Sequence, residues 1–270
     1  MGNLVTNRVE LTAVDGPVTE HHLGEITAVM SGLPAAEALD RIRSGDEGYG
    51  AWLPICLDAL VPQPDLLGDS DLSHPGLADL ALALASVSPD YVAMTAHQDR
   101  LDDLMPPEMA RTRIAILERH GLRDLPPDMA LEEAEKQHGG IAADCEILKS
   151  RVAATGFSDP VAWREEHWGT RAHASDGLFM ITPEGGISVR FDTVNASPST
   201  FIEALAIAFP TLQLRAQGFE EDTDYAFSAV SDGEPGEIVW IEDDSPEAVR
   251  AAREFVYPKF QDTPDEDMEP

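Results

Sequence analysis

Residues 187–219, ISVRFDTVNASPSTFIEALAIAFPTLQLRAQGF, carry a strand, a helix and a second strand in one short unit. Ile187, Val189 and Phe191 alternate with Ser188, Arg190 and Asp192, the period of two that marks a half-buried strand. Ser197 is placed to cap the helix, with Pro198 at its first position and Pro210 at its end. Phe201, Leu205, Ala208 and Phe209 make its expected buried stripe. Leu212 and Leu214 then restart the alternation of a strand.

The same logic extends both ways. Upstream, the stretch from Trp163 opens on a helix-like segment, breaks at Gly169, and then reads as two strands joined by the glycine-containing turn PEGG, the second being the strand at 187. Downstream, YAFSAVSDGEPGEIVWIED reads as a hairpin with its turn at Asp232–Gly236; its arms carry Tyr225, Phe227, Ala229 and Ile238, Trp240. At the N-terminus, Val9, Leu11 and Ala13 alternate with Arg8, Glu10 and Thr12, so a strand comes first. Two helices follow: one places Leu23, Ile26, Val29 and Met30 on one face and closes at Gly32, and the other runs from Pro34 to Gly45. AWLPICLDALVPQPDLLGD reads as a short helix followed by extended VPQP, because Pro54, Pro62 and Pro64 forbid one continuous helix. From Ser73 to Ala154 the pattern is helical, broken at Pro89, Pro106–Pro107, Gly121, Pro126–Pro127 and Gly139–Gly140. Met109, Ile114 and Leu117 are the expected face of its clearest helix.

Strands at both ends with helices between them predict an α+β fold: a ferredoxin-like antiparallel sheet with packed helices, plus a mostly helical insertion. The expected boundaries are 1–64 for the N-terminal part of the sheet domain, 65–156 for the insertion, and 157–258 for its C-terminal part. The acidic tail 259–270 has the composition of a disordered segment.

Charge narrows the function classes. Fifty acids oppose eighteen bases, for a formal net charge of -32. Such a surface repels nucleic-acid backbones and anionic membranes, so no direct nucleic-acid or membrane binding is expected, and a basic protein partner is. Two accounts fit: imitation of the DNA phosphate array, to occupy a basic DNA-binding enzyme, or a proteome-wide acidity of the kind found in salt-adapted or GC-rich organisms. The bases include only three lysines, Lys136, Lys149 and Lys259, which suits the second account. Cys56 and Cys145 are far apart and lack CxxC partners, as expected of free thiols in a reducing compartment. The start MGNLVTNRVE lacks a secretory pattern, and no apolar run approaches a membrane span. A cytoplasmic protein is expected.

Four motifs, in order, carry a family resemblance. GNLVTNRVEL at 2–11 resembles an Asn-x-x-x-Asn start, and ALVPQPDLL at 59–67 a proline pair after a short helix. AWREEHWGTR at 162–171 resembles a Trp…Trp-Gly-Thr-Lys helix end. Residues 189–222, beginning VRFDTVNASP, resemble a Phe-Asp-Thr-x-x-x-x-Pro strand–helix–strand unit. The chain thus resembles the YubB-type ferredoxin-like domain of conjugative-plasmid and phage proteins. The resemblance implies a ferredoxin-like fold and an accessory role in a mobile element. It implies no iron–sulfur cluster, since the family name denotes a fold and two unpaired cysteines do not hold one. Leu4 or Val5, Ala172, and Val194 or Asn195 stand where the family often has tryptophans, and Arg171 where it has lysine. Its aromatic surface is reduced here.

The candidate binding cluster is Glu165, His167, Trp168, Arg171 and Asp192. One reading makes it a polar pocket, serving a small hydrolase or nucleotide-binding enzyme. The structural reading has Trp163 and Trp168 anchor the helix, Gly169 end it in a left-handed conformation, and Arg171 pair with an acid such as Asp192. No catalytic residue, metal ligand or cofactor is assigned. His21, His22 and Glu25 share a helical turn without further ligands at zinc spacing, and no P-loop, nucleophile elbow or dinucleotide fingerprint occurs. His97, Asp99 and His138 read as surface residues. The acid pairs Glu165–Glu166 and Glu220–Glu221 are adjacent in sequence; on a strand such neighbours point to opposite faces and do not cooperate as acid and base. The function expected is that of a non-enzymatic protein-interaction module.

Overall fold

The structure, a computed structural model, describes residues 3–45, 50–68, 72–86, 107–220, 222–231 and 237–258. The expected breaks at Pro89 and Pro106, the surface placement of His97 and Asp99, the Met109 side chain, Glu221, the turn 232–236 and the tail 259–270 fall outside this description.

In chain order the elements begin with β1 (Leu4–Ala13), α1 (Glu20–Ser31), α2 (Ala35–Ser44), β2 (Ala51–Leu53) and α3 (Leu57–Leu60). Then come α4 (Ala78–Ser86), α5 (Pro107–Arg119), α6 (Pro127–Gln137), α7 (Ile141–Thr155) and α8 (Pro160–Trp168). The last are β3 (Gly177–Ile181), β4 (Ile187–Val194), α9 (Ser199–Ala208), β5 (Leu212–Glu220), β6 (Ala226–Ser231), β7 (Ile238–Asp243) and α10 (Pro246–Val256). The chain divides into two compact units, residues 1–62 with 164–270 and residues 63–163.

The first unit holds a seven-stranded sheet of order β2-β3-β4-β1-β5-β6-β7. Every neighbouring pair is antiparallel. Hence β4 and β5 run the same way with β1 between them, joined by α9. By the same token β1 and β3 run the same way with β4 between them. These are two interleaved β-α-β units, the ferredoxin-like arrangement expected from the sequence, extended by β2 on one side and β6–β7 on the other. The second unit is inserted in the β1-to-β3 connection.

Register follows hydrophobic alternation. Val9 lies opposite Val189 and Ala216, and Leu11 opposite Ile187 and Leu214. A slip of one residue would turn this row out of the core. Each of these residues is at most 1% exposed, and burying each large aliphatic among them stabilises by about 1.5–3 kcal/mol. Helix α9 covers this face, and the Trp240 Nε1–H donates to Glu203 Oε1 at 2.9 Å to tie it to β7. Within α9 the buried residues are Phe201, Ile202, Leu205 and Ala206. Ala208 is exposed, contrary to the expected stripe. Ser197 does not cap the helix; Pro198 occupies that position and its carbonyl accepts from the Ile202 N–H.

The opposite face receives α10, an element that the sequence reading missed. Ser245 caps it, accepting from the Ala248 N–H, and Pro246 occupies its first turn. Ala252 and Val256 pack with Phe219 and Ala226. The reading also missed β2, whose three residues are too few to show a period. Helix α1 ends as expected at Gly32, whose φ is 70°.

The second unit is helical. Leu80, Leu84, Leu117, Ile141 and Leu148 share its core. Ile114, expected on the buried face of α5, is 43% exposed, while Leu117 is buried. Asp144 on α7 is fully buried and accepts from the Ser73 and His74 N–H groups at 2.7 and 3.0 Å. Glu135 on α6 supplies the cap that α7 lacks, accepting from Gly140 N–H at 2.8 Å and Ala142 N–H at 2.9 Å. These backbone bonds hold its carboxyl below the usual range. Arg151 donates to the Leu66 and Gly68 carbonyls, both at 2.7 Å.

Candidate functional site

The corner between α8 and β4 carries the residues singled out by sequence. Trp168 is fully buried. Its Nε1–H donates to the Val61 carbonyl at 2.8 Å, its ring lies 4.9 Å from that of His173, and the Arg164 guanidinium lies 5.5 Å from its centroid. Gly169 takes φ of 78°, as expected of a helix-ending glycine, and itself lies tight against the Ser197 and Ser199 backbone. The Glu166 carbonyl accepts from Thr200 Oγ1 at 3.3 Å. The corner is therefore fastened by main-chain approach and by one buried indole.

Arg171 pairs with Glu165, and both side chains are exposed. The expectation that it pairs with an acid such as Asp192 is corrected: Glu165 is only six residues back, at the end of the same turn. Asp192 sits on β4 between the inward Phe191 and Thr193, so its side chain is on the other face of the sheet. Its main chain exchanges bonds with Ser175, the Ser175 N–H donating to the Asp192 carbonyl and the Asp192 N–H to Ser175 Oγ. His167 is half-buried on α8. The five residues thus do not form one cluster: Trp168 is in the core, Glu165 and Arg171 form a surface pair, His167 is half-buried on α8, and Asp192 is on the other face of the sheet.

A second constellation lies at the far end of the sheet. The Glu220 N–H donates to the Tyr225 carbonyl, Ala226 is opposite Asp243, and the Tyr225 hydroxyl donates to Glu242 Oε1 at 3.3 Å. These contacts bring Glu220, Asp222 and Asp224 to the same rim as Glu242, Asp243 and Asp244. All but the half-buried Glu220 are exposed. Burial pushes the Tyr225 hydroxyl up, and the charges of Glu242 and Glu220 push the same way, whereas a bond with Ser197 opposes them. No lysine or arginine occurs between Arg215 and Arg250. β7 is the terminal strand of the sheet, so its outer edge has no strand neighbour among the described residues. Val230, Val239 and Ile241, 45–57% exposed, form an apolar strip beside the rim. The acids were visible in the sequence; their convergence needed the β5–β6–β7 register.

A cavity of about 160 Å³ lies between these strands and α10, lined by Gln217, Ser228, Ile241, Ala248 and Ala251 among others. Gln217 Oε1 is buried and has no hydrogen-bond partner among the described residues. In the second unit a cavity of about 240 Å³ is bordered by Leu72, Asp79, Leu148, Arg151 and Asp159. Among the described residues no group of three His, Cys, Asp or Glu side chains is placed to hold a metal, and no helix is long and apolar enough to cross a membrane.

No family model matches the chain, and no curated protein does. A solved structure similar to it is that of a protein api92 from Yersinia pseudotuberculosis, described under the family model DUF1281. The two chains are 9% identical, the alignment covers 89% of this chain and 98% of that one, and the TM-score is 0.38.

Proposed function

We propose that this protein is a non-enzymatic interaction module that binds a basic protein partner, serving as an accessory protein of a plasmid or phage, the role implied by its resemblance to the YubB-type domain. The observation that supports this is the acidic rim of Glu220, Asp222, Asp224, Glu242, Asp243 and Asp244 beside the outer edge of β7, which no described strand pairs. Like charges held close repel, and a cationic partner relieves that repulsion. The edge of β7 offers main-chain groups for strand addition, and Val239 and Ile241 offer apolar contacts on one face. The partner that fits is an extended segment in which lysine or arginine alternates with aliphatic residues. In its most concrete form the rim imitates DNA phosphates and occupies a DNA-acting enzyme such as a defence nuclease.

The test uses the purified full chain and a synthetic peptide of alternating lysine and valine, followed by amide NMR. Shifts confined to β7 and the rim, weakening as salt rises, are expected, with loss of binding in the triple variant Asp224→Asn, Glu242→Gln, Asp244→Asn. Asp243 is left in place because it accepts from the Ser245 N–H at the start of α10. Shifts spread over the whole surface, or binding unchanged by neutralisation, would assign the acidity to solubility alone. A pull-down from the native host at two salt concentrations then identifies the partner.

A further inference from the structure

In a chain this acidic, the face of the sheet that carries α10 gathers arginines. Arg190 on β4 is directly opposite Arg8 on β1, and Arg215 on β5 is opposite Glu10, two residues further along. Like charges placed opposite one another on a sheet are destabilising. Arg8 is held: it donates to Ser188 Oγ at 2.8 Å and to the Phe255 carbonyl at 2.7 Å, and it pairs with Glu10 at 2.6 Å. Burial lowers its proton affinity, Glu10 raises it, and both Arg190 and Arg215 lower it, which places Arg8 within the field of the other two.

Arg190 and Arg215 have no carboxylate partner among the described residues; their contacts are with rings. The Arg190 guanidinium lies 4.8 Å from the Tyr257 centroid and 6.0 Å from that of Trp52, and Arg215 lies 4.4 Å from that of Phe255. Stacking on a ring uses the flat face of a guanidinium and leaves its in-plane N–H donors open to an anion. Trp52 is 61% exposed and Tyr257 42% exposed, so each also has ring surface open to solvent.

We propose that this face binds a small phosphomonoester that carries a planar ring, the chemistry of a mononucleotide. Arg190 and Arg215 take the phosphate oxygens, Arg8 adds field from behind, and the ring stacks on Trp52. A dianion relieves the Arg8–Arg190 repulsion. A long polyanion is disfavoured, because the rest of the surface repels it at distances that a compact ligand does not sample. Glu10 is already engaged by Arg8, and Asp192, two residues from Arg190 on the same face, forms no ion pair with it among the described residues.

The experiment titrates the full chain with adenosine monophosphate, adenosine, inorganic phosphate and a single-stranded oligonucleotide, read by amide and indole NMR. Adenosine monophosphate is expected to shift the Trp52 indole and the Arg190 and Arg215 amides, and to bind more tightly than adenosine or phosphate alone. Arg190→Gln and Arg215→Gln should each weaken it about tenfold or more, and Trp52→Ala should remove its advantage over phosphate. Each arginine variant gives up a ring stack as well as a like charge, so the amide spectrum of each free variant must match that of the wild type; this separates lost binding from lost folding. Absence of shifts at millimolar adenosine monophosphate, equal affinity for adenosine, equal affinity for phosphate, tighter binding of the oligonucleotide, or unchanged binding in both arginine variants would each overturn the proposal.

Discussion

The α8–β4 corner is structural if Gly169 is needed for its backbone, and Gly169→Ala tests this. Gly169 sits at φ of 78°, and an added Cβ would lie 2.6 Å from the Ser199 nitrogen and 2.9 Å from the Ser197 carbonyl oxygen. Both are main-chain atoms, so no side-chain rotation relieves the contact. Gly16 in the same unit has the same φ of 78° and nothing within 4 Å of its would-be Cβ. Left-handed strain costs an alanine about 1–2 kcal/mol, offset by about 0.4–1 kcal/mol from the stiffer unfolded chain. Gly16→Ala should therefore destabilise by about 1.6 kcal/mol at most. Gly169→Ala adds the displacement of a packed backbone, about 1–3 kcal/mol more. The assay is native-state hydrogen exchange at Val9 and Val189, central amides of this unit. Exchange in Gly169→Ala should be roughly 5- to 150-fold faster than in Gly16→Ala. Equal rates in the two variants would show that the close approach to Ser197 and Ser199 does not hold the corner.

Three further outcomes follow from particular contacts. Trp168→Phe keeps most of the buried ring but strands the Val61 carbonyl, so it should cost about 1–3 kcal/mol; a loss under about 0.5 kcal/mol by urea denaturation would mean the carbonyl finds another donor. Glu135→Gln should destabilise the helical unit at neutral pH. Its folded pKa lies below its unfolded one, so the contribution is present above the unfolded value and lost as pH falls through the folded one. The melting difference between wild type and variant should accordingly shrink on acidification; a constant difference would refute the assignment of this carboxylate as the α7 cap. Burial pushes the Cys145 thiol up to about 11, and it donates to the Ala81 carbonyl. Mass spectrometry should therefore find iodoacetamide on the half-exposed Cys56 well before Cys145, which should label only after unfolding.

The local elements are written in the amino-acid pattern. Ile187, Val189 and Phe191 alternate, as do Val9 and Leu11, because one face of each strand is buried, and that alternation alone specifies strands. Gly32 and Gly169 stop their helices because only glycine takes the left-handed turn at little cost. The order of strands and helices, with two β-α-β units to interleave, was legible for the same reason. β2 escaped because three residues do not define a period. Helix α10 does carry a local signature, the cap Ser245–Pro246–Glu247 and the amphipathic run that follows. Tertiary structure alone decided which charges meet. Arg8, Arg190 and Arg215 are scattered through the chain, as are Glu220 and Glu242, and pairing across strands depends on register, which no local pattern encodes. The same holds for Arg171, whose partner is Glu165 rather than Asp192: alternation put Asp192 on the far face, and only the folded sheet shows which face that is.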